Sequence, residues 1–131
     1  MKSAKYIKSH QAEGVGIDII DIRRLRGIDL NTSVWKKVFS SSEREYCLKK
    51  KNDAESLAGI FAAKEAVIKA LSPEKISFQE ITIHHKKRVP YCTLKRLSQK
   101  YKISVSIAHC EEYAIAICMA SRIWQKKSNK G

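Results

Sequence analysis

Apolar positions in the middle of the chain recur with the period of a helix. The large apolar side chains of this segment are Leu57, Ile60, Phe61, Ile68 and Leu71, and alanines stand between them. This spacing is typical of a helix that turns one face toward a core. Pro73 follows the segment, and proline cannot continue a helix. We therefore predict one long, mostly buried helix over residues 53–71.

The chain before this helix has the pattern of a strand followed by short helical pieces. Gly14–Ile20 is short, β-branched and bounded by glycine, which predicts a strand that ends near residue 21. Residues 21–38 have a helical spacing that Gly27 and the Asn31–Ser33 segment interrupt. The polar run Ser41–Glu45 contains a capping-box-like sequence, so we expect a further helix to begin there.

The second half of the chain has a strand pattern. We expect a β-pair from 81–83 and 89–93 around a basic turn, a short helix over 94–101, and strands over 103–107 and 113–119 with a turn between them. Helices in the first half packed on an antiparallel sheet indicate an α+β fold. Without repeats or linkers, residues 1–131 are interpreted as a single domain with a core over about 14–120 and flexible tails at 1–13 and 122–131.

Charge and cysteine content narrow the class of protein. The formal net charge of +13 favours an acidic partner, which leaves nucleic acid, anionic lipid, a phosphorylated ligand or an acidic protein open. An equally good interpretation is a charged surface that only keeps the protein in solution. The 4 cysteines form no C-x-x-C pair and no export signal is evident, so we expect free thiols, a cytoplasmic location and no structural metal. Cys118 is predicted to be a small core residue.

Charged residues on the long helix are the first candidates for chemistry. Glu65 and Lys69 are four residues apart and share a face, and Lys64 lies on the flank of that face. An ordinary exposed Glu–Lys pair is one interpretation. The neighbouring residues are apolar, however, and a carboxylate on a largely buried helix costs free energy unless it is paired or bound to a metal.

Two further polar residues are predicted to lie on strands. Asp18 interrupts an apolar strand for which Asp is a poor residue, so it is either satisfied by backbone donors or functional. Together with a second carboxylate it would be a usual ligand set for Mg²⁺ that also binds substrate phosphates. His109 stands at the end of a predicted strand and is either a structural histidine or a site residue.

Three motifs, in this order, resemble those of one enzyme family. They are G-x-G-x-D at Gly14–Asp18, F-A-A-K-E-A-x-x-K-A at Phe61–Ala70 and S-I-x-H at Ser106–His109. Together they resemble the holo-acyl-carrier-protein synthases, which have the 4′-phosphopantetheinyl transferase-like fold. The resemblance runs from about Gly14 to Met119, and the F-A-A-K-E block is its most specific part.

The resemblance implies a reaction. A family member transfers 4′-phosphopantetheine from coenzyme A to a serine of an apo-acyl carrier protein and releases adenosine 3′,5′-bisphosphate. Asp18 and Glu65 are implied to bind Mg²⁺ together with the diphosphate of coenzyme A, and Lys64 and Lys69 are implied to neutralise phosphate oxygens. Charge neutralisation of this kind is what phosphoryl transfer requires.

The resemblance also implies roles near the nucleotide. Phe61 would line the nucleotide pocket, and His109 would bind or orient the ligand. Glu65, Lys69 and His109 are therefore the predicted catalytic residues. The proton of the attacking serine has three candidate acceptors, which are Glu65, a water on the metal and His109; we favour Glu65 or the water.

Partners follow from the same resemblance. The acidic carrier protein would dock on the basic segment that contains Arg23, Arg24 and Arg26. Such docking would explain the positive net charge of the chain. Family members usually form trimers with active sites between subunits, and the apolar strands at 103–119 are candidates for that interface. We expect neither a nucleic-acid nor a membrane partner.

The chain departs from the family pattern around the expected coenzyme A pocket. Ile60 replaces an arginine, Ser72-Pro73 replaces a glycine-rich turn, Ala108 replaces a serine or threonine, and 87–89 replace an Asn-Gly-Lys turn. A domain that binds coenzyme A or a carrier without turnover is therefore an alternative. A nucleic-acid-binding module is a weaker one, because only the charge favours it and no recognised motif is present.

Overall fold

The computed structural model describes residues 14–123 and shows the expected α+β architecture. The helices are α1 (Ser33–Val38), α2 (Ser41–Leu48) and α3 (Asp53–Leu71), with short 3-10 segments at Ile22–Leu25 and Phe78–Glu80. The strands are β1 (Gly14–Asp21), β2 (Ile81–Lys86), β3 (Val89–Leu94), β4 (Tyr101–His109) and β5 (Tyr113–Arg122). The predicted long helix is confirmed with both of its bounds.

Helix α3 lies close against a three-stranded antiparallel sheet of order β1–β5–β4 because small residues meet at the contact. A Cβ atom at Gly14 would lie 1.7 Å from the carbonyl oxygen of Ala70, and one at Gly16 would lie 1.8 Å from that of Ala66. Only glycine permits this approach of the β1 backbone to the helix. The G-x-G part of the first motif therefore fixes where β1 crosses α3.

The two faces of this sheet differ. The inward positions of β5 are small and buried, and they are Ala114, Ala116, Cys118 and Ala120. The prediction that Cys118 is a core residue is confirmed. The outward positions of β1 and β5 carry large apolar side chains that are exposed, namely Val15, Ile17, Ile19, Ile115, Ile117 and Met119. We call these six residues the outer sheet face.

Strands β2 and β3 form a separate hairpin that packs beside α2 and α3. The predicted basic turn is shorter than expected, because the β2–β3 pairing extends as far as Lys86 and Val89 and only Lys87 and Arg88 remain in the turn. Residues 76–80 before this hairpin form a loop and a 3-10 turn, and the strand begins at Ile81.

The predicted helix over 94–101 is wrong. Leu94 pairs with Ile81 at the end of β3, and Tyr101 pairs with Arg122 at the start of β4. Between them Leu97 has a φ of 68°, which is left-handed and cannot belong to an α-helix of L-residues. Because β3 is paired as far as Leu94 and β4 is paired from Tyr101, the residues between them form a turn and not a helix.

The predicted tails lie almost wholly outside the described residues. Arg122, which we had assigned to the second tail, is the last residue of β5. Within residues 14–123 no helix is long and apolar enough to cross a membrane.

Candidate active site

A buried ion pair joins α3 to the elements around it. The Nζ of Lys64 lies 2.5 Å from Glu43 Oε1 and donates a hydrogen bond of 2.6 Å to the carbonyl oxygen of Val38. Both charged side chains are fully buried. The carboxylate of Glu43 also accepts hydrogen bonds of 2.8 Å from the backbone N–H groups of Ser40 and Ile83. One carboxylate thus ties together the start of α2, strand β2 and helix α3.

This arrangement changes the role that we predicted for Lys64. Its ammonium group points into the core, where the carboxylate of Glu43 already neutralises it, and it does not face solvent as a phosphate contact would. Burial lowers the pKa of Lys64, and the neighbouring carboxylate opposes that shift. The structure therefore contradicts the prediction that Lys64 binds phosphate oxygens and makes it a structural residue.

Asp18, Glu65 and Lys69 come together where β1 crosses α3, and we call them the carboxylate group. Lys69 Nζ donates to the carbonyl oxygen of Ile17 at 2.9 Å and lies 3.3 Å from Asp18 Oδ1. Asp18 occupies the next inward position of β1 after Gly14 and Gly16, so the glycine contacts with α3 carry its carboxylate toward that helix. Glu65 and Lys69 lie on the part of α3 that is not fully buried.

The electrostatics of this group suit a cation. Partial burial raises the pKa of Glu65, the negative charge of Asp18 raises it further, and Lys69 opposes both effects. Two carboxylates that repel each other at a partly exposed site are relieved by a divalent cation. No group of three or more His, Cys, Asp or Glu side chains within residues 14–123 is arranged to hold a metal ion. The pair nevertheless fits Mg²⁺, which usually takes one or two protein carboxylates and completes its coordination with waters and substrate phosphates.

Phe61 lies one turn before Glu65 on α3 and packs against Phe78, with the ring centroids 5.7 Å apart. It does not line the cleft described next.

A cleft of about 200 Å³ opens between α2, α3, the β2–β3 hairpin and β4. His109 is in its wall, and its Nε2 lies 3.2 Å from Glu55 Oε1. Tyr46 and His85 stack in another wall, with centroids 4.2 Å apart and planes inclined by only 1°. The remaining lining residues are Ser56, Gly59, Ile60, Arg88, Pro90 and Ile107.

The structure does not bring His109 to the carboxylate group within one chain. Asp18 lies on β1, at one edge of the sheet, and His109 lies on β4, at the other edge. Of the departures from the family pattern, Ile60 and Arg88 line the cleft that contains His109, whereas Ser72 and Pro73 line a second, open groove beside Lys69.

The three arginines of the predicted docking segment are not equivalent. Arg23 donates to both carboxylate oxygens of Asp21 at 2.6–3.1 Å, and these hydrogen bonds lower the pKa of Asp21 to about 2. Arg24 and Arg26 are exposed and make no ion pair with any residue of the described range. The local charge of Arg23 is therefore largely neutralised, and the other two guanidinium groups remain available.

Sequence reasoning missed Glu43 and the cleft. The capping box that begins α2 was visible, but its glutamate appeared to be a local helix cap, although the structure also makes it the partner of Lys64. Tyr46, Glu55 and His85 come from three different elements, and no spacing in the sequence links them.

Comparison with known proteins agrees with this geometry. A family model described as the 4′-phosphopantetheinyl transferase superfamily matches residues 14–118. The holo-[acyl-carrier-protein] synthase of Chlamydia trachomatis serovar L2 is 40% identical over 117 residues, which cover 82% of this chain and 98% of that protein. The synthase of Chlorobaculum parvum is 35% identical over 111 residues, which cover 80% of this chain and 95% of that protein.

Solved structures agree as well. The coenzyme A complex of Helicobacter pylori holo-[acyl-carrier-protein] synthase superimposes with a TM-score of 0.68 at 32% identity, covering 82% of this chain and 99% of that one. The Bacillus anthracis synthase in complex with CoA (3′,5′-ADP) gives a TM-score of 0.70 at 29% identity, covering 83% and 96%. This chain therefore belongs to the 4′-phosphopantetheinyl transferase superfamily. Within it, the chain is a member of the holo-acyl-carrier-protein synthase family, so the resemblance drawn from its motifs is confirmed.

Proposed function

We propose that this protein transfers 4′-phosphopantetheine from coenzyme A to a serine of an acidic apo-acyl carrier protein. The observation that carries the proposal is the carboxylate group, in which Asp18, Glu65 and Lys69 meet at a partly exposed site. In the reaction the serine oxygen forms a bond to the phosphorus next to pantetheine. The bond from that phosphorus to the bridging oxygen breaks, and adenosine 3′,5′-bisphosphate leaves with the bridging oxygen.

The residues of the carboxylate group have different roles in this transfer reaction. Mg²⁺ held by Asp18 and Glu65 would neutralise charge on the diphosphate and act as a Lewis acid. Lys69, whose side chain is 54% exposed, can exchange its contact with Asp18 for the phosphate oxygens on which charge develops. Glu65, or a water on the Mg²⁺ that it would help to hold, would receive the proton of the attacking serine.

We further propose that the complete site forms between copies of the chain in a homotrimer. Two observations support this. The carboxylate group and the His109 cleft lie at opposite edges of one sheet, and the outer sheet face exposes apolar side chains such as Ile17 and Ile117 that association would bury. A neighbouring copy would then bring its cleft, with His109 as a ligand contact, to the carboxylate group. Molar mass by light scattering should fall from trimer to monomer in Ile117→Asp and remain unchanged in Lys95→Asp.

The carrier protein would dock on Arg24 and Arg26, with Arg23 contributing less because Asp21 holds its guanidinium group. The 4 free cysteines fit a reducing location, which we propose to be the cytoplasm.

Intact-mass spectrometry of an apo-acyl carrier protein, incubated with this protein, coenzyme A and Mg²⁺, tests the transfer. The carrier should gain the mass of phosphopantetheine, and the gain should disappear with EDTA and in Glu65→Ala. Glu45→Ala is the matched control, because Glu45 is an exposed glutamate on α2 that lies 3.7 Å from Lys49 and belongs neither to the carboxylate group nor to the lining of the cleft.

Failure of this experiment is informative. A folded protein that binds coenzyme A but modifies none of several carriers would favour the alternative of a non-catalytic binding module. A gain of mass that persists in Glu65→Ala would contradict the assignment of the carboxylate group.

A further inference from the structure

Lys69 occupies part of the site that we assign to the cation. Its Nζ donates a hydrogen bond of 2.9 Å to the carbonyl oxygen of Ile17 and lies 3.3 Å from Asp18 Oδ1. Both acceptors belong to β1, whereas Lys69 belongs to α3, so the side chain bridges the two elements where they cross. The carboxylate that would bind Mg²⁺ is therefore the same carboxylate that pairs with an ammonium group of the protein itself.

This ammonium group reduces the attraction of the site for a divalent cation. Asp18 and Glu65 carry two negative charges when both are ionised, and Lys69 neutralises one of them. Glu65 is four residues before Lys69 on α3, which places both side chains on one side of the helix. A positive charge this close also repels an incoming cation, even in water. Lys69 and Mg²⁺ thus compete for the same carboxylates.

Lys69 is held in this position only weakly. Its side chain is 54% exposed, and an ion pair that water reaches contributes little free energy. The open groove that Ser72 and Pro73 help to line lies beside it and leaves the side chain room to turn. Lys64, in contrast, is buried in its pair with Glu43 and cannot change its partner. Of the two lysines in the long-helix motif, Lys69 is the one that a ligand can attract.

We propose that Lys69 is a gate for the metal site and makes the binding of Mg²⁺ and coenzyme A cooperative. This inference rests on the proposed function. Before coenzyme A binds, the ammonium group pairs with Asp18 and weakens metal binding. The diphosphate, with its greater negative charge, then draws Lys69 away and frees the carboxylate oxygen for the metal. Because linkage is reciprocal, the metal strengthens the binding of coenzyme A by the same factor.

Titration of the full chain with Mn²⁺, followed by EPR of the free ion, tests the gate without carrier or turnover. Mn²⁺ stands in for Mg²⁺ because both prefer oxygen ligands. Each protein is titrated with the metal alone and with the metal in saturating coenzyme A, after subtraction of the Mn²⁺ that coenzyme A binds by itself.

The variant is Lys69→Met, and Lys69→Arg keeps the positive charge. Lys75→Met is the matched control, because Lys75 is an exposed lysine in the wall of the same groove that does not pair with Asp18. It therefore removes one nearby charge without removing the competitor for the carboxylate. Thermal melts establish that each variant is folded.

Lys69→Met should bind the metal alone about 3–10-fold more tightly than the wild type, because the positive charge next to the carboxylates is gone. In saturating coenzyme A this gain should fall to within about 2-fold, since the diphosphate then holds Lys69 away from Asp18 in the wild type. Lys69→Arg and Lys75→Met should stay within about 2-fold of the wild type for the metal alone. A merely structural role for Lys69 would weaken metal binding in both titrations.

A Lys69→Met variant that binds the metal alone no more tightly than Lys75→Met does would overturn the gate. So would a variant that keeps its full gain in coenzyme A. Either result, together with normal carrier modification by the wild type, would overturn this inference alone. Mn²⁺ binding that Asp18→Asn leaves unchanged would overturn both this inference and the metal site of the proposed function, because the metal would then bind elsewhere.

Discussion

Two lysines on α3, five residues apart, pair with carboxylates in opposite environments. Lys64 and its partner Glu43 are both 0% exposed. Lys69 and its partner Asp18 are 54% and 19% exposed. In both pairs a lysine on α3 meets a carboxylate that is distant in the sequence, at residue 43 for one and residue 18 for the other.

The two ion pairs differ in how far water solvates their charges. A buried pair cannot exchange its partner, because removing one charge leaves the other in a medium that solvates it poorly. A pair at the surface is worth little as an ion pair, since water and salt screen it. Lys69 can therefore leave Asp18 for a phosphate, whereas Lys64 holds α3 in place against α2 and β2. Because Lys64 precedes Glu65 directly, the rigid pair positions the residue that we assign to chemistry.

The largest effect that we expect is on stability, from Lys64→Met. The substitution keeps the buried volume but leaves the carboxylate of Glu43 unpaired in the core, which costs about 3–5 kcal/mol of unfolding free energy. Urea denaturation measures this loss, and Lys69→Met is the matched control, with an expected change of less than about 1 kcal/mol. Equal losses in the two variants would remove the distinction between the pairs.

The next effect is on catalysis, from Glu65→Gln. This change preserves the size of the side chain and removes its charge, so we expect the rate of phosphopantetheine transfer to fall by roughly 10²–10³-fold. Intact-mass kinetics with saturating coenzyme A measure it, and Glu45→Gln should keep the wild-type rate. A rate within about 3-fold of wild type would place the chemistry elsewhere.

A smaller catalytic effect is expected from Lys69→Met. Loss of one cation near the diphosphate should lower kcat/KM by about 10–100-fold, and the free energy of unfolding should hardly change. The same protein preparation gives both quantities, by initial rates and by urea denaturation. A fall in stability with unchanged kcat/KM would reverse the assignment of the two lysines.

The smallest effect is a pH-dependent change in stability in Glu65→Gln. The pKa of Glu65 is raised on folding, so the ionised side chain disfavours the folded state, and this penalty appears as the pH rises through the raised pKa. Below about pH 4, near the ordinary pKa of glutamate, both states are protonated and the penalty is absent. Glu65→Gln should therefore raise Tm at pH 8 and leave it unchanged at pH 4. We expect a rise of only about 1–2 °C, because solvent screens the charge of this partly exposed side chain. Equal shifts at the two pH values would exclude a charge effect.

Local patterns predicted a large part of this molecule. Strand β1 and helix α3 were predictable because the apolar residues of the sequence recur with a period of two in the strand and of 3.6 in the helix. The motifs identified Asp18 and Glu65, and the structure brings both to the place where β1 crosses α3. The turn at 94–101 was missed because the pairing of Leu94 and Tyr101 with distant strands overrides a weak local preference for helix.

By itself the sequence determined the family, the main elements and the residue types available for chemistry. The tertiary structure alone decided which of two lysines is buried and which edge of the sheet carries His109. It also decided that Arg88 faces a cleft and Lys87 does not. The physical reason is that periodicity reports which face of an element is covered but not what covers it. Partners such as Glu43 and Lys64, which are far apart in sequence, become visible only when the chain is folded.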